Sequence, residues 1–160
     1  MPIPNRPRHA ALQFAGRAVL SAAIALVLLF LLLLGAYALP GEPVRANIER
    51  SVPLLQEEGL YPEFFGFKLF QMDNYTDTIM LFEAARADET SPLQAMMTST
   101  AYNVDNFETL PDDLAAYLDA RAEGKTGADT GLEPFSYARY WHGYLIWLRP
   151  LLLFLTYGQV

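Results

Sequence analysis

Ala18 to Leu39 is an unbroken apolar run, and no other feature limits what this chain can fold into as strongly. A helix rises about 1.5 Å per residue, so about twenty such residues match the roughly 30 Å hydrocarbon core of a bilayer. A helix also satisfies its own backbone groups, which irregular chain in lipid does not. Arg6, Arg8 and Arg17 precede the run, and Pro40-Gly41-Glu42-Pro43 follows it. The run predicts a transmembrane helix over residues 18–39. Everything else is placed relative to that membrane.

Charge sets the orientation. Residues 1–17 carry three Arg and no acid, whereas residues 41–143 carry seven Lys and Arg against all eighteen Asp and Glu. The positive-inside bias keeps the basic N-terminus (1–17) in the cytoplasm and places residues 40–134 outside the cell membrane. An acidic outer segment excludes nucleic acid as a partner, because holding phosphates needs a basic patch. A removable leader is the rival to an anchor, since Ala36-Tyr37-Ala38 fits an A-x-A cleavage site after Ala38. The run is longer than the roughly 7–15 apolar residues of a leader, so a retained anchor is expected. The chain has no cysteine, which rules out disulfides, thiolate metal sites and cysteine nucleophiles.

The outer segment reads as helical. Residues 40–46 form a Pro/Gly-rich exit from the membrane. Ile48, Val52 and Leu55 recur at helical spacing, with Pro53 either kinking a helix or starting one and Gly59 ending it. Tyr61 to Phe67 is an aromatic loop or irregular strand. A helix is expected from Thr76 to Ala87, capped by Asn74, Thr76 or Asp77, and another from Ser91-Pro92 through Met97. Thr109 and Asp112 make a capping-box variant ahead of a helix that runs to Gly124. Gly124 to Gly131 reads as a flexible surface loop. No strong period-2 strand pattern appears.

Residues 135–160 lead back toward the membrane. Tyr137, Tyr140, Trp141, Tyr144 and Trp147 cluster as aromatics do at a bilayer interface, and Leu148 to Leu155 is strongly apolar. The segment reads as a second, C-terminal membrane-embedded helix. The predicted fold class is thus an all-α membrane protein: one transmembrane helix, an external helical domain, and a membrane-embedded return.

Two groups of residues are candidates for chemistry. Asp73 and Asp77 are four residues apart, where helical like charges repel unless a cap, a cation or a partner offsets them. Such a pair suits a general base or a divalent cation bound through oxygen, and equally a capped turn with both acids solvated. Arg139, His142 and Arg149 fall near one helical face, a stripe suited to an anionic headgroup or a lipid-linked phosphate. The alternative is that both arginines snorkel while His142 satisfies a carbonyl. Arg149 is the harder to dismiss, because ionisable groups deep in a membrane segment are costly. Asn74-Tyr75-Thr76 fits a glycosylation acceptor formally. No phosphate-binding Gly loop, nucleophile elbow, zinc motif or EF-hand loop is present.

The strings Asp73-Asn74-Tyr75-Thr76-Asp77 and Arg139-Tyr140-Trp141-His142-Gly143-Tyr144, with this layout, resemble the N-terminal region of polytopic bacterial membrane proteins. Among these are membrane glycosyltransferases that use lipid-phosphate-linked sugars. The resemblance implies that an acid of this first external segment, Asp73 or Asp77, is the base, or a cation ligand; on the same hypothesis Arg139, His142 and Arg149 are the candidate contacts to the lipid-linked phosphate. It also implies further membrane helices, so the chain reads as an N-terminal module or a truncated reading frame. The competing reading is a non-catalytic accessory subunit packed against a larger membrane partner.

Overall fold

The computed structural model describes residues 6–103, 107–136 and 142–160. Helix α1, Arg6–Tyr37, contains a candidate span, Ala10–Tyr37, whose most apolar 18 residues have mean hydropathy 2.9. From Ala10 to Leu32 its side chains touch nothing that buries them. Nothing in the run breaks a helix, and no polar side chain competes for its backbone after Ser21. Among the described residues it is the one helix long and apolar enough to cross a membrane.

The exit from α1 is shorter than expected. α2 begins at Gly41 and runs to Glu49, because Pro43 sits in its first turn, where no backbone N–H is missed. Val44 and Ile48, four apart, point into the core. α3, Val52–Glu58, is a separate helix: Pro53 falls in its first turn, lacks the N–H that would continue α2, and forces the break at Arg50-Ser51. Gly59, at φ 71°, ends α3 in a conformation that glycine adopts without strain.

Residues 61–72 form a hairpin-like excursion. Glu63 pairs with Gln71 in an isolated antiparallel bridge, and the Met72 N–H donates to the Pro62 carbonyl at 3.0 Å. α4, Asn74–Arg86, is the central helix, with Thr78, Ile79, Leu81, Phe82, Glu83, Ala84 and Ala85 all buried. Apolar residues on nearly every side mean that other elements surround it: α2, β1 (Thr100–Asn103), α6 (Leu110–Ala122) and α7 (Leu145–Leu152). α5, Pro92–Thr98, starts as its sequence predicts, with the Ser91 hydroxyl accepting from the Gln94 N–H.

Three expectations need correction. The domain is mostly helical but not all-α: β1 pairs antiparallel with β2, Glu133–Ser136, in the register Thr100–Ser136 to Asn103–Glu133. The Gly124–Gly131 segment contains a structured turn, Gly127–Thr130, closed by reciprocal Thr126–Asp129 bonds. Gly127 packs so closely on the Tyr102 ring that a Cβ there would overlap it. Thr109 does not cap α6; its hydroxyl donates instead to Asp113.

The expected C-terminal membrane helix is not shown. α7 has eight residues, about 12 Å of helix, far less than a bilayer core requires. Leu145, Leu148, Arg149 and Leu152 turn into the domain core, and helical structure gives way to a turn at Leu153. The segment's apolar character therefore serves the domain interior on one face. Arg139 and the aromatics Tyr137, Tyr140 and Trp141 lie outside the described residues.

Candidate functional site

The first candidate pair sits at the N-terminal end of α4. Asp73 is the N-cap: its carboxylate accepts from the Thr76 N–H at 3.0 Å and from the Thr76 hydroxyl at 2.7 Å, one bond to each oxygen. This is how a helix satisfies a free amide at its start. Asp77, one turn on, accepts from the Tyr157 hydroxyl. Burial pushes the Asp77 carboxyl above its ordinary range, and the charge on Asp73 adds to that rise while the Tyr157 bond opposes it. The Tyr157 hydroxyl is pushed up in turn, first by burial and then by its bond to Asp77. The Tyr157 N–H also donates to the Ser51 hydroxyl oxygen at 2.8 Å, and Ser51 donates to the Asn47 carbonyl at 2.7 Å. Asp77 thus ties the C-terminal turn Tyr157–Gln159 to α4, while Ser51 ties the same turn to the α2–α3 joint.

The intervening Asn74 is buried, and its amide nitrogen donates to Glu58 and to the Gly59 carbonyl. That nitrogen is consumed, which closes the glycosylation reading for the folded domain. Among the described residues no group of three or more His, Asp and Glu converges to hold a metal ion.

The second group is divided by the fold. Arg149 is fully buried, donating to the Ala84 carbonyl at 2.9 Å and to the Leu39 carbonyl at 2.8 Å. Burial lowers its guanidinium to about 10, with the charge on Asp88 acting against that fall, so it stays charged at neutral pH. His142 is half-buried, its ring set edge-on to Tyr37 at 6.1 Å between centroids. No cationic stripe forms between them, because Arg149 faces inward and holds the end of α1 to α4.

The groups that sequence reasoning passed over lie at the other end of α4. Glu83 is buried and accepts from the Ser99 hydroxyl at 2.5 Å and the Tyr144 hydroxyl at 2.6 Å. Tyr37, Arg86, Ser99 and Thr100 gather round it, with no room for a water-sized occupant between them. Glu89 is a hub just beyond the helix. It accepts from Arg86 (3.1 Å), Tyr117 (3.0 Å), Tyr102 (3.3 Å) and the Gly127 N–H (3.1 Å). Arg86 also lies over the Tyr102 ring at 5.4 Å, a cation–π distance. Burial, then the charge on Glu89, raises the Tyr102 and Tyr117 hydroxyls above their usual range. One sequence signal points here: Glu83 interrupts the apolar string Met80-Leu81-Phe82 and Ala84-Ala85.

An open cleft of about 410 Å³ lies between α2 and α6, lined by Glu42, Arg45, Glu49, Leu118 and Arg121. Its arginines are engaged by a neighbouring acid: Asp88 meets Arg45 at 2.6 Å and Arg121 at 3.6 Å. None of Asp73, Asp77, His142 or Arg149 lines it. Asp73 caps α4, Asp77 bonds the C-terminal turn, and Arg149 ties Leu39 to α4. Comparison of the chain with protein-family models, curated proteins and solved structures returns no match.

Proposed function

We propose that this chain is a non-catalytic accessory subunit of the cell envelope, anchored by α1 and packed against a larger membrane partner. The observation that carries this reading is how α1 ends. Ala36 and Tyr37 are buried, Leu33 and Leu34 pack on the same core, and the Leu39 carbonyl takes a hydrogen bond from Arg149. The last turns of the apolar helix are part of the domain. Cutting after Ala38 would remove the Tyr37 ring from the interior, which argues for an anchor and against a leader. The charge asymmetry favours a cytoplasmic N-terminus with residues 40–134 outside.

The partner face is the 61–72 excursion. Phe65 and Leu69 are each 87 % exposed, and Phe67 is also exposed. Phe65 holds a positive φ of 59°, a conformation that a bulky residue adopts only under constraint from its surroundings. Clustered exposed apolar side chains on a pinned hairpin suit a protein contact.

The test is a photo-crosslinking residue, p-benzoylphenylalanine, placed at Phe65 in the intact chain in cells. A discrete adduct with a larger integral membrane protein is expected. With insertion and folding intact, absence of any protein adduct would sink the accessory reading. Topology is checked separately with Ala128→Cys, since the chain has no other cysteine. A membrane-impermeant maleimide should label it in intact spheroplasts; labelling only after lysis would reverse the orientation.

A further inference from the structure

We infer that α7 lies at the bilayer interface, with its outer face against lipid at the headgroup–acyl boundary. Trp147 and Leu151 lie one helical turn apart on the outer face of α7 and Phe154 follows in the turn just after it; they are 50 %, 37 % and 81 % exposed. The inward face of the same helix is Leu145, Leu148, Arg149 and Leu152. From Gly143 to Thr156 Arg149 is the only charged residue, and it is fully buried. In a chain of net charge −7, the outer surface of this segment carries no charge at all.

Three observations select lipid as the occupant. α7 packs directly against α1, near the residues where α1 enters the core: Tyr37 contacts His142 and Leu39 bonds Arg149. From Ala18, just after Arg17, α1 is uncharged and predominantly apolar for 20 residues to Tyr37, about 30 Å of helix, which matches the roughly 30 Å hydrocarbon core and ends at its boundary. The end of α1 that touches α7 therefore lies at interface depth. Tryptophan favours that depth, where its ring meets acyl chain and its N–H meets water. The exposed apolar side chains sit on a helix packed directly against the anchor, and an uncharged apolar face at that depth is favoured on entering lipid.

This inference rests on α1 spanning the membrane, and the experiment separates the two. The full chain carrying Trp141→Phe leaves Trp147 as the sole tryptophan. It is reconstituted in phosphatidylcholine–phosphatidylglycerol vesicles, with and without lipids brominated near the top of the acyl chain. Blue-shifted emission, strong quenching by the brominated lipid and several-fold weaker acrylamide quenching than a tryptophan placed at Ala128 are expected. Water-like emission with acrylamide quenching equal to that control would overturn the inference. So would shielding from acrylamide without any quenching by brominated lipid, which would indicate a protein occupant. An environment-sensitive fluorophore on Phe154→Cys gives an independent reading: it should report an apolar setting in vesicles, and a polar one contradicts lipid contact. Resistance to alkaline carbonate extraction tests the span itself. Protein that stays in the membrane with Trp147 in water refutes the α7 inference alone, and extracted protein refutes the anchor.

Discussion

The two ends of α4 treat acidic side chains in opposite ways. At its start, Asp73 caps the helix from an exposed position and Asp77 holds a single tyrosine. At its far end, Glu83 is buried between two hydroxyls, and Glu89 gathers an arginine, two tyrosines and a backbone amide. The number of elements joined to each acid also differs. Asp73 serves its own helix, and Asp77 ties the helix to the C-terminal turn. Glu83 joins α4 to the segments after α5 and before α7, while Glu89 joins it to β1, α6 and the Gly127 turn. The heavily networked end is the end nearest α1. Among the described residues, the most densely bonded end of α4 is thus the one beside which the chain leaves α1.

The largest expected effect comes from emptying the hub. In Glu89→Ala the Arg86 charge keeps its burial but loses its carboxylate, and three further donors lose their acceptor. Removing one partner of a buried ion pair costs about 3–5 kcal/mol. Glu89 is 6 % exposed in its side chain, so solvent screening rescues little of this. Chemical unfolding in detergent micelles measures it. A loss under about 1 kcal/mol would place Glu89 among ordinary surface ion pairs and end the contrast between the two ends. Glu83→Gln comes next, keeping the shape and one acceptor while forcing one hydroxyl to reverse its role, for about 1–2 kcal/mol. Its check is the same unfolding curve with Tyr144→Phe as partner, where non-additivity is the signature of a direct bond.

The contrast also explains what was legible in the residues themselves. α1 is legible because twenty-odd apolar residues without a break have one common solution in lipid. The start of α5 is legible because Ser91-Pro92 acts locally through a hydroxyl and a ring. The role of Arg149 is not local. A sequence shows an arginine in an apolar stretch but not that the carbonyls of Leu39 and Ala84, distant in the chain, converge on it. Composition misled as well: residues 135–160 read as a membrane-embedded helix, whereas Leu145, Leu148 and Leu152 close the domain. β1 and β2 are four residues each, too short for alternation to register, and are paired only through the tertiary fold. The roles of Glu83 and Glu89 are not legible because an acid in a helix, or in the turn after one, ordinarily faces water.

Asp73→Ala tests the lightly built end. Losing an N-cap carboxylate costs about 1 kcal/mol, and Asp73→Asn should recover most of it, since an amide oxygen also accepts the Thr76 N–H. A loss as large as that of Glu89→Ala would mean that Asp73 holds more than its own helix. Thermal unfolding of the three proteins side by side decides it.

The smallest effect is the most diagnostic, because its sign is unusual. The Asp77 carboxyl is raised in the folded state, chiefly by burial, so the folded chain holds that proton more tightly than the unfolded chain. Where the folded state binds more protons, stability falls as pH rises. Ionising Asp77 therefore destabilises the fold across the interval that starts at its ordinary value of 3.8 and extends upward to its raised one. Half of the group remains accessible, so screening limits the penalty to a few tenths of a kcal/mol. Asp77→Asn keeps an oxygen for the Tyr157 hydroxyl and removes the charge. It should be slightly more stable than the parent at neutral pH and equal to it at low pH. Asp113 is shifted in the same direction, also by burial, so the substitution removes only part of the acid-side slope. Parallel stability–pH curves for parent and variant would show that Asp77 does not titrate abnormally. The opposite sign, a variant weaker at neutral pH, would show that the Tyr157 bond outweighs burial and make this end of α4 resemble the other.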